Sequence, residues 1–451
     1  MDQLPHSRTL GAAFGVCLVV VCLCLAGTGT VAAQSADIVV ATDGSGDYTS
    51  IQNAVDNAAP GDRIKVKSGA YVEDINIYKN ILIYSPSGAT VKNTSAISDE
   101  SAFRIYSDAT ISGFTLTNWK WGINSGGSQS DWSAKGLTIT NSYQGITGYD
   151  SSGNWTVENT TIRNASQDGI EMQLSSGDPV VRNTEFTDVG DAINGNSLTG
   201  NVTIESLDIQ NVSEEAIDVK NISSQLTISD VVIRNGGDEG INFDTASSGG
   251  AQITDTYIHT VRTGIHGEKA DIDVTVNNLT VEDTIGDGIN ASNATGNWIV
   301  RASTFRNMGD KSIDAIDSEG KWRIHESILS RGSEGTVDAW DAKFTVNASY
   351  NYWGTADGPS GEEAGGDVTV TPYYIDSSLT TLSSEQDTGR EDAPEDPTQR
   401  ALQITDKSDP SELTQNDVTA VITRFNRGQS VNNIDIKQDD VTATITLFER
   451  N

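Results

Sequence analysis

The middle of the chain repeats a hydrophobic position at an almost constant interval of 23 or 24 residues. Such a period is typical of a solenoid, in which small units stack because none of them can bury its apolar face alone. The repeated residues are Ile123, Ile146, Ile170, Ile193, Ile217, Ile241, Ile265, Ile289, Ile313 and Val337. Each defines the index position of one coil, and other positions are counted from it: +1 follows the index residue and −2 lies two residues before it.

Each coil is predicted to contain three short strands. Apolar residues recur about 13 and about eight positions before the index residue, with polar residues between them, and this alternation is typical of half-buried strands. One column of turn residues consists of Asn118, Asn141, Asn164, Asn211, Asn235 and Asn307, with Asp188, Thr260 and Asp283 in its gaps. Residues 37–380 are therefore predicted to form an all-β fold, a right-handed parallel β-helix whose strands pair about 4.8 Å apart. The amphipathic segment from Thr49 to Ala58 predicts a helix that caps its open end.

Both ends of the chain differ from the solenoid. Residues 1–33 hold a basic residue, an apolar stretch and a small-residue end, which is the layout of a cleavable secretory signal. We therefore expect a secreted or cell-surface protein with no transmembrane segment in its mature chain. Residues 381–400 are acidic and poor in apolar residues, and predict a disordered linker. Residues 401–451 contain a helical pattern that occurs twice and predict a small α-helical domain.

The charge balance limits the partners. The chain has 63 acidic and 29 basic residues, a formal charge of −34, and its three cysteines all lie in the predicted signal. Such a surface stays solvated at high salt, where its self-repulsion is screened. The composition is typical of a halophile's secreted protein, and an acidic calcium binder is the alternative. Either interpretation excludes nucleic acid as a partner.

Two motifs carry a family resemblance. The segments Val40–Gln52 and Ile64–Glu73 resemble the amino-terminal part of pectinesterases and, more broadly, the pectin lyase-like β-helix superfamily. The motif Asn351-Tyr352-Trp353-Gly354, followed by Gly358-Pro359-Ser360, resembles the closing motif of carbohydrate-binding and sugar hydrolase β-helix repeat proteins, a group that includes NosD-like proteins. The resemblance implies the fold and a polysaccharide partner. The catalytic segments of pectinesterases do not occur in the chain, so that activity is disfavoured.

A polar strip is predicted on the strand that contains the index residue. If the index side chain points inward, position +1 points outward. Position +1 is occupied by Asn124, Thr147, Glu171, Asn194, Asp218, Asn242, His266, Asn290, Asp314 and Asp338, and position −2 holds Asp168, Asp191, Glu215, Glu239 and Asp287. Position −1 is Gly or Ala in eight of the ten coils, which predicts little bulk over the strip. The pattern indicates a long, open groove suited to an extended polymer.

The charged residues of this strip are candidates for catalysis and binding. Carboxylates on adjacent coils would lie roughly 5 Å apart, and those two coils apart about 10 Å, which brackets the separations that glycosidases use. The candidate catalytic residues are Asp218, Glu239, His266 and Arg262, and the candidate substrate-binding residues are Asp168, Glu171, Asp191, Glu215, Lys220 and Asn242. The segments Asp238–Ile241 and Gly264–Gly267 are faintly similar to motifs of polygalacturonases, although the other segments of that family do not appear. A lyase with Arg262 or Lys220 as base is a further alternative.

The aromatic residues divide into two groups. Trp155, Trp298 and Trp322 share a column with aliphatic residues, so we expect them in the core. Trp119, Trp121 and Trp132 do not fit this column and are expected to form an exposed patch near the amino-terminal coils.

The duplicated carboxyl-terminal pattern resembles a degenerate dockerin-type module. Gln415–Ala420 recurs as Gln438–Ala443, and the loops before them resemble the calcium loop of an EF-hand. Asp406 and Asp417 are the candidate ligands of a weak calcium site in the first loop, whereas the second loop has Gln429 and Val431 where oxygen ligands are needed. Residues 401–451 are therefore expected to dock the protein to a cell-surface partner. No cofactor is certain, and calcium is the one that the sequence suggests.

Three functions fit the sequence. The first is a secreted or cell-surface β-helix that binds, and degrades or modifies, an extended polysaccharide along its polar groove. The second is a catalytic glycosidase or lyase of the polygalacturonase or pectate lyase type. The third is a non-catalytic structural or adhesive protein, in which the acidic strip is only a solvated face. Whether the protein is an enzyme stays open at this level.

Overall fold

The computed structural model describes residues 37–94, 98–361, 363–383 and 414–426, together with Thr405, Val441 and Thr444. The predicted signal, residues 384–400 of the predicted linker, Asp406 and most of residues 401–451 lie outside the described residues. Within the described part of the chain, no helix is long and apolar enough to span a membrane.

The described chain consists almost entirely of short strands. They are β1 (Ile38–Val40), β2 (Arg63–Val66), β3 (Ala70–Tyr71), β4 (Ile75–Ile77), β5 (Ile81–Lys92), β6 (Ser98–Ile105), β7 (Ala109–Thr117), β8 (Trp119–Asn124), β9 (Trp132–Lys135), β10 (Thr138–Ser142), β11 (Gln144–Thr147), β12 (Trp155–Glu158), β13 (Thr161–Ala165), β14 (Ile170–Glu171), β15 (Pro179–Val189), β16 (Ile193–Asn196), β17 (Val202–Val212), β18 (Ile217–Lys220), β19 (Gln225–Arg234), β20 (Glu239–Asn242), β21 (Gly250–His259), β22 (Thr263–His266), β23 (Asp273–Glu282), β24 (Ile289–Asn290), β25 (Trp298–Arg301), β26 (Thr304–Arg306), β27 (Ile313–Asp314), β28 (Trp322–His325), β29 (Val337–Ala339), β30 (Val346–Asn347), β31 (Ala364–Gly366) and β32 (Val368–Thr369). Helix α1 spans Ile51–Asn57 and helix α2 spans Gln415–Asn426.

These strands form a right-handed β-solenoid of about 14 turns. The index strands β4, β6, β8, β11, β14, β16, β18, β20, β22, β24, β27, β29 and β31 build a parallel sheet of 13 strands, called here the index sheet. The other strands build a parallel sheet of 19 strands. Index residues pair with one another from coil to coil, as Ile217 does with Ile241. The predicted all-β parallel fold is therefore confirmed.

The division of each coil differs from the prediction of three separate strands. The first two predicted strands lie in one sheet, and in several coils they form a single long strand such as β15 or β17. A residue with positive φ bends these long strands, for example Asn183 at φ 48° in β15 and Ser206 at φ 56° in β17. The bend turns the chain without ending the pairing, because both halves of the strand keep their parallel partners.

Positive φ values recur at corners of the coil, and they explain the predicted column of Asn residues. Asn118, Asn141, Asn164, Asp188, Asn211, Asn235, Thr260, Asp283 and Asn307 all have φ between 52° and 64°. Asn and Asp tolerate this left-handed conformation better than most residues do. Their side chains also form a ladder, in which Asn164 Nδ2 donates to Asn141 Oδ1 (3.3 Å) and Asn235 Nδ2 donates to Asn211 Oδ1 (3.2 Å). The predicted turn column is confirmed, including its Asp and Thr members.

The core is a continuous apolar interior. All ten index residues are at most 1% exposed. Trp155, Trp298 and Trp322 are buried as predicted. The prediction of an exposed patch is wrong for Trp119 and Trp132, which are only 2% and 4% exposed.

The register of the strands explains this correction. Trp132 pairs with Trp155, and their rings stack with centroids 5.2 Å apart. Because that coil has 23 residues instead of 24, the spacing in the sequence hides the shared column. Trp119 donates from Nε1 to the Val91 carbonyl at 3.1 Å.

Each end of the solenoid has its own closing structure. Helix α1 buries Ile51, Ala54 and Val55, as predicted, and begins after the N-cap Ser50. The Glu73 carboxylate accepts hydrogen bonds from Ser50 Oγ (2.6 Å) and from the Ile51 amide (2.7 Å), and therefore stabilises the first turn of α1. At the other end Asn351 is fully buried, and its Nδ2 donates to the carbonyls of Ile324 (2.6 Å) and Ala348 (2.8 Å).

Candidate functional site

The index sheet presents two polar columns to its outer side, at positions −2 and +1. The two columns lie next to each other, since Asn194 Nδ2 at +1 donates to Asp191 Oδ2 at −2 of the same coil (2.9 Å). Successive strands place Asn194, Asp218, Asn242 and His266 in register. The two columns, from the coil of Ile123 to the coil of Val337, are called the polar strip below.

The small residues at position −1, between the two columns, were predicted to leave the strip uncovered, but the structure gives them a different role. A Cβ atom added to Gly240 would lie 2.8 Å from the Ile258 side chain and 2.6 Å from the Gly264 carbonyl oxygen. Position −1 therefore faces the core, where there is no space for a larger side chain. The amides of Gly264 and Ile265 both donate to the next coil (3.0 and 2.9 Å), which shows a bend between positions −1 and 0. This bend interrupts the alternation of sides that the sequence analysis assumed.

The floor of the polar strip is less open than predicted. Among the predicted site residues, Asp168, Asp191, Asp218, Glu239 and Asn242 are 2–8% exposed. Their side chains are covered because neighbouring coils contact them, as where Gln144 Nε2 donates to Asp168 Oδ2 at 2.6 Å. Glu171 is half-buried, and it accepts a hydrogen bond from Thr147 Oγ1 at 2.9 Å.

The first charged group of the strip contains two buried aspartates joined by an amide. Asn194 Nδ2 donates to Asp168 Oδ1 (3.1 Å) as well as to Asp191. Burial, together with the nearby carboxylates of Glu215 and Asp168, raises the pKa of the Asp191 carboxyl to about 8. Burial also raises the pKa of Asp168, although hydrogen bonds from Gln144 and Asn194 oppose the change. These aspartates therefore retain protons at a pH where exposed aspartates are ionised.

Lys220 lies beside the next acids. Its Nζ is 3.2 Å from Asp218 Oδ2 and 3.6 Å from Glu215 Oε1. Burial raises the pKa of Asp218 to about 7, although the charge of Lys220 opposes that change. Burial lowers the pKa of Lys220, but the charges of Asp218 and Glu215 outweigh it and the net shift is upward. Lys220 is therefore charged at neutral pH, whereas Asp218 changes its charge there.

Glu239 forms the centre of a second charged group. Arg262 Nη2 donates to Glu239 Oε1 at 2.6 Å, and Arg262 also contacts Asp238. His266 Nδ1 lies 3.5 Å from Glu239 Oε1, and His266 Nε2 lies 3.7 Å from Glu268 Oε2. Burial raises the pKa of Glu239, but the neighbouring His266 and Arg262 outweigh it, so the net pKa is lowered. Burial lowers the pKa of His266, but the Glu239 carboxylate outweighs it, so the net pKa is raised.

The structure thus divides the four predicted catalytic residues. Glu239, Arg262 and His266 lie in direct contact. Asp218 belongs to the other charged group, and Asn242 separates it from His266 in the register of the strands. The predicted binding residues Glu215 and Lys220 contact each other beside Asp218.

The sequence analysis missed Glu214, Glu268 and Lys311 as charged residues near the strip, and it named Asp238 only as part of a motif. Glu214, Asp238 and Glu268 lie at positions −3 and +3 and contribute to the two charged groups described above. Lys311 lies at position −2, where the other charged residues are acids, and its Nζ contacts Asp314 at 3.2 Å. The 24-residue spacing could have placed all four residues at this surface, because positions −3 and +3 form the two edges of the strip and position −2 lies within it.

Carboxylates that could hold a cation are present in the strip. One carboxylate oxygen from each of Asp191, Glu214 and Glu215 lies within 4.8 Å of the other two. Such oxygens suit calcium, although six to eight ligands are usual. In the tail, the Asp417 carboxylate accepts hydrogen bonds from the Thr414 amide (2.8 Å) and hydroxyl (2.7 Å). This arrangement is a capping box at the start of α2, and the predicted calcium site with Asp406 stays a prediction.

A family model agrees with the fold of the central coils. Residues 121–266 match the family model described as a right-handed beta helix region, and the search of curated proteins finds no match. Similar solved structures include the catalytic unit of a GH87 alpha-1,3-glucanase from Streptomyces thermodiastaticus strain HF3-3 (15% identity, TM-score 0.46, 78% of this chain and 72% of that one). Another is the A-module of the mannuronan C-5 epimerase AlgE4 from Azotobacter vinelandii (11% identity, TM-score 0.38, 72% and 92%).

Proposed function

We propose that this protein binds an extended polysaccharide along the polar strip. The observation that carries the proposal is the repetition of polar side chains in register on successive rungs of the index sheet. A polymer of repeating polar units can contact equivalent groups at a spacing of about 4.8 Å. The strip also contains His266, and the cations Lys220 and Arg262 lie at its two edges, in contact with its carboxylates. It therefore offers both hydrogen-bond donors and acceptors to sugar hydroxyls.

A polymer-binding assay tests this proposal. Affinity electrophoresis of the full chain against neutral and uronic-acid polysaccharides gives a dissociation constant for each polymer. We expect Lys220→Ala and Arg262→Ala each to weaken binding about ten-fold, since hydrogen bonds to charged groups are worth about 1.5–3 kcal/mol. Arg163→Ala is the matched control, because Arg163 also pairs with an acid one coil away (Glu185, 3.0 Å) but lies in the other sheet. Wild-type affinity in both strip variants would refute the strip as the binding site.

Hydrolysis of the bound polymer is the second candidate function. It is favoured by the opposite pKa shifts of Asp218, raised to about 7, and Glu239, lowered. A carboxyl that retains its proton can act as a general acid, while an ionised one can act as a base or nucleophile. Reducing-sugar and unsaturated-product assays distinguish hydrolase from lyase. We expect Asp218→Asn and Glu239→Gln to abolish product formation, whereas product from both variants would exclude this pair.

A structural or adhesive role remains the third function, and it concerns the tail. If residues 401–451 dock the exported protein to a surface partner, their deletion should abolish retention at the cell surface. Polymer binding should persist in the truncated chain, because the polar strip lies entirely within the solenoid.

A further inference from the structure

Exposed tyrosines flank the amino-terminal end of the polar strip. Tyr78, Tyr106 and Tyr149 are 63%, 47% and 44% exposed, and Tyr143 is 37% exposed. Tyr78, Tyr106 and Tyr149 occupy position +3 of their coils, as the pairing of Ile75 with Phe103 and of Phe103 with Ile123 shows. Tyr143 lies at position −3, on the opposite edge of the strip. These four tyrosines are called the tyrosine cluster.

The tyrosine rings are arranged along the solenoid axis. The rings of Tyr78 and Tyr106 are parallel within 6°, with centroids 4.5 Å apart. Gly126 occupies the next rung and Tyr149 the one after, since Asn124 pairs with Thr147. A glycine there adds no side chain between the rings of Tyr106 and Tyr149. The cluster therefore provides aromatic surface on one edge over several rungs and the Tyr143 ring on the other.

This end of the strip differs in charge from the rest. In the coils of Ile123 and Ile146, positions −2 and +1 hold Trp121, Asn124, Gln144 and Thr147, with no carboxylate. Trp121 Nε1 donates to Gln144 Oε1 at 2.7 Å, so this part of the floor is neutral. Carboxylates begin in the next coil, with Asp168 and Glu171. The coil of Phe103 also has no carboxylate at these two positions, but it holds Arg104 at +1, and Lys120 Nζ lies 4.5 Å from the centroid of the Trp121 ring. In a chain with a formal charge of −34, an aromatic region whose floor lacks carboxylates, beside an acidic one, indicates a distinct subsite.

We propose that the tyrosine cluster is a stacking subsite for uncharged pyranose rings, which anchors a polysaccharide chain whose continuation lies over the acidic coils. This inference rests on the proposed function and adds the class of sugar and its position. Aromatic faces bind apolar surfaces, while the tyrosine hydroxyls remain available to water or sugar. The coil of Tyr106 precedes that of Asp191 by four rungs and that of Glu239 by six. A chain that contacts both regions therefore spans roughly 20–30 Å at about 4.8 Å per rung.

The experiment compares tyrosine variants of the full chain in the same affinity electrophoresis. The probes are neutral dextran, xylan and mixed-linkage glucan, with polygalacturonate as the charged polymer. We expect the double variant Tyr78→Ala/Tyr106→Ala to bind whichever of these neutral polymers the wild-type protein binds about ten-fold more weakly, because two aromatic contacts with the sugar are lost. The matched control is Tyr84→Ala, which removes a half-buried tyrosine from β5 in the other sheet. Tyr149→Ala, a single exposed substitution, provides the test if the double variant does not fold.

The outcomes separate this inference from the proposed function. If Arg262→Ala weakens binding but the tyrosine variants bind like wild type, the strip stands and the subsite is refuted. If the protein binds only polygalacturonate, and salt weakens that binding steeply, the class of sugar is wrong. If wild-type protein binds none of the polymers, both proposals fail. Tyrosine-dependent binding of a neutral polymer that changes little between 0.1 and about 1 M salt supports the subsite, because uncharged contacts are not screened.

Discussion

Glu239 is 3% exposed, and its carboxylate contacts both Arg262 and His266. Its pKa is lowered from the usual 4.5, so its contribution to stability is present above that pH and is lost as the pH falls through the lowered pKa. The pKa of His266 is raised from 6.5, so its contribution is complete below pH 6.5 and is lost as the pH rises through the raised pKa. Both groups are therefore charged between about pH 4.5 and 6.5, where the pair stabilises the fold most.

At the scale of this residue, Glu239→Gln should lower the pKa of His266 by about one unit or more, because an adjacent opposite charge shifts a pKa by about 1–3 units. A titration of the imidazole resonances by NMR measures the change. His325 is the internal control, since burial lowers its pKa and it lies in the other sheet, so its titration should be the same in the variant and in wild type. An unchanged His266 titration would show that the contact with Glu239 does not control its charge.

Asp191 gives a second prediction at the scale of the residue, and here the raised pKa of a buried acid lowers stability as the pH rises. Its pKa is about 8 in the folded protein and near 3.8 when unfolded, so the folded state binds more protons and stability falls as the pH rises between these values. Asp191→Asn removes this loss, which amounts to several kcal/mol at most. We expect the melting temperature of the variant to fall less than that of wild type between pH 5 and pH 9. Asp230→Asn, at an exposed corner, should behave like wild type; equal pH dependence of all three proteins contradicts the prediction.

At the scale of the strand and its turns, the sequence predicts what local conformation and burial determine. Index residues repeat because each must fill the same interior, and Asn recurs at one corner because that corner needs positive φ. The sequence could not show that Gly240 faces the core, because the bend before Ile241 breaks the two-residue alternation of a strand. The contact between Glu239 and Arg262 was not predictable from coil spacing alone, as it depends on side-chain direction after that bend.

The inward glycine column makes a prediction for the index strands. A Cβ at Gly169 would lie 2.5 Å from Phe186 Cδ1 and 2.7 Å from the Ala192 carbonyl oxygen. Gly169→Ala should therefore lower the free energy of unfolding by about 1–3 kcal/mol, as overpacking of a filled core does. Urea unfolding measures the difference. Gly361→Ala is the matched control, because no described residue other than its chain neighbours lies within 4 Å of the Cβ position there. Equal stability of the two variants would mean that Phe186 moves without cost.

At the scale of the whole molecule, charge and solenoid shape act together. A chain with a formal charge of −34 repels itself. Stacked coils repeat this repulsion, because the acids at position −2 from Asp168 to Glu239 are in register from one coil to the next. Buried aspartates such as Asp191 avoid part of it by retaining a proton. Exposed acids such as Asp238 pair with a cation, but the chain has fewer than half as many cations as acids. Screening by salt is therefore needed for the remaining repulsion.

This excess charge predicts that sodium chloride raises the melting temperature at pH 7. Most of the rise should occur below about 0.5 M, because the Debye length is already about 10 Å at 0.1 M and about 3 Å at 1 M. Differential scanning calorimetry across this range measures the effect. At pH 4 the pH is close to the ordinary pKa values of exposed carboxylates, so these groups lose part of their charge. The same salt series should therefore produce a smaller rise in the melting temperature. An equal rise at both pH values would assign the stabilisation to hydrophobic salting-out, and a flat profile at pH 7 would exclude self-repulsion as a limit on stability.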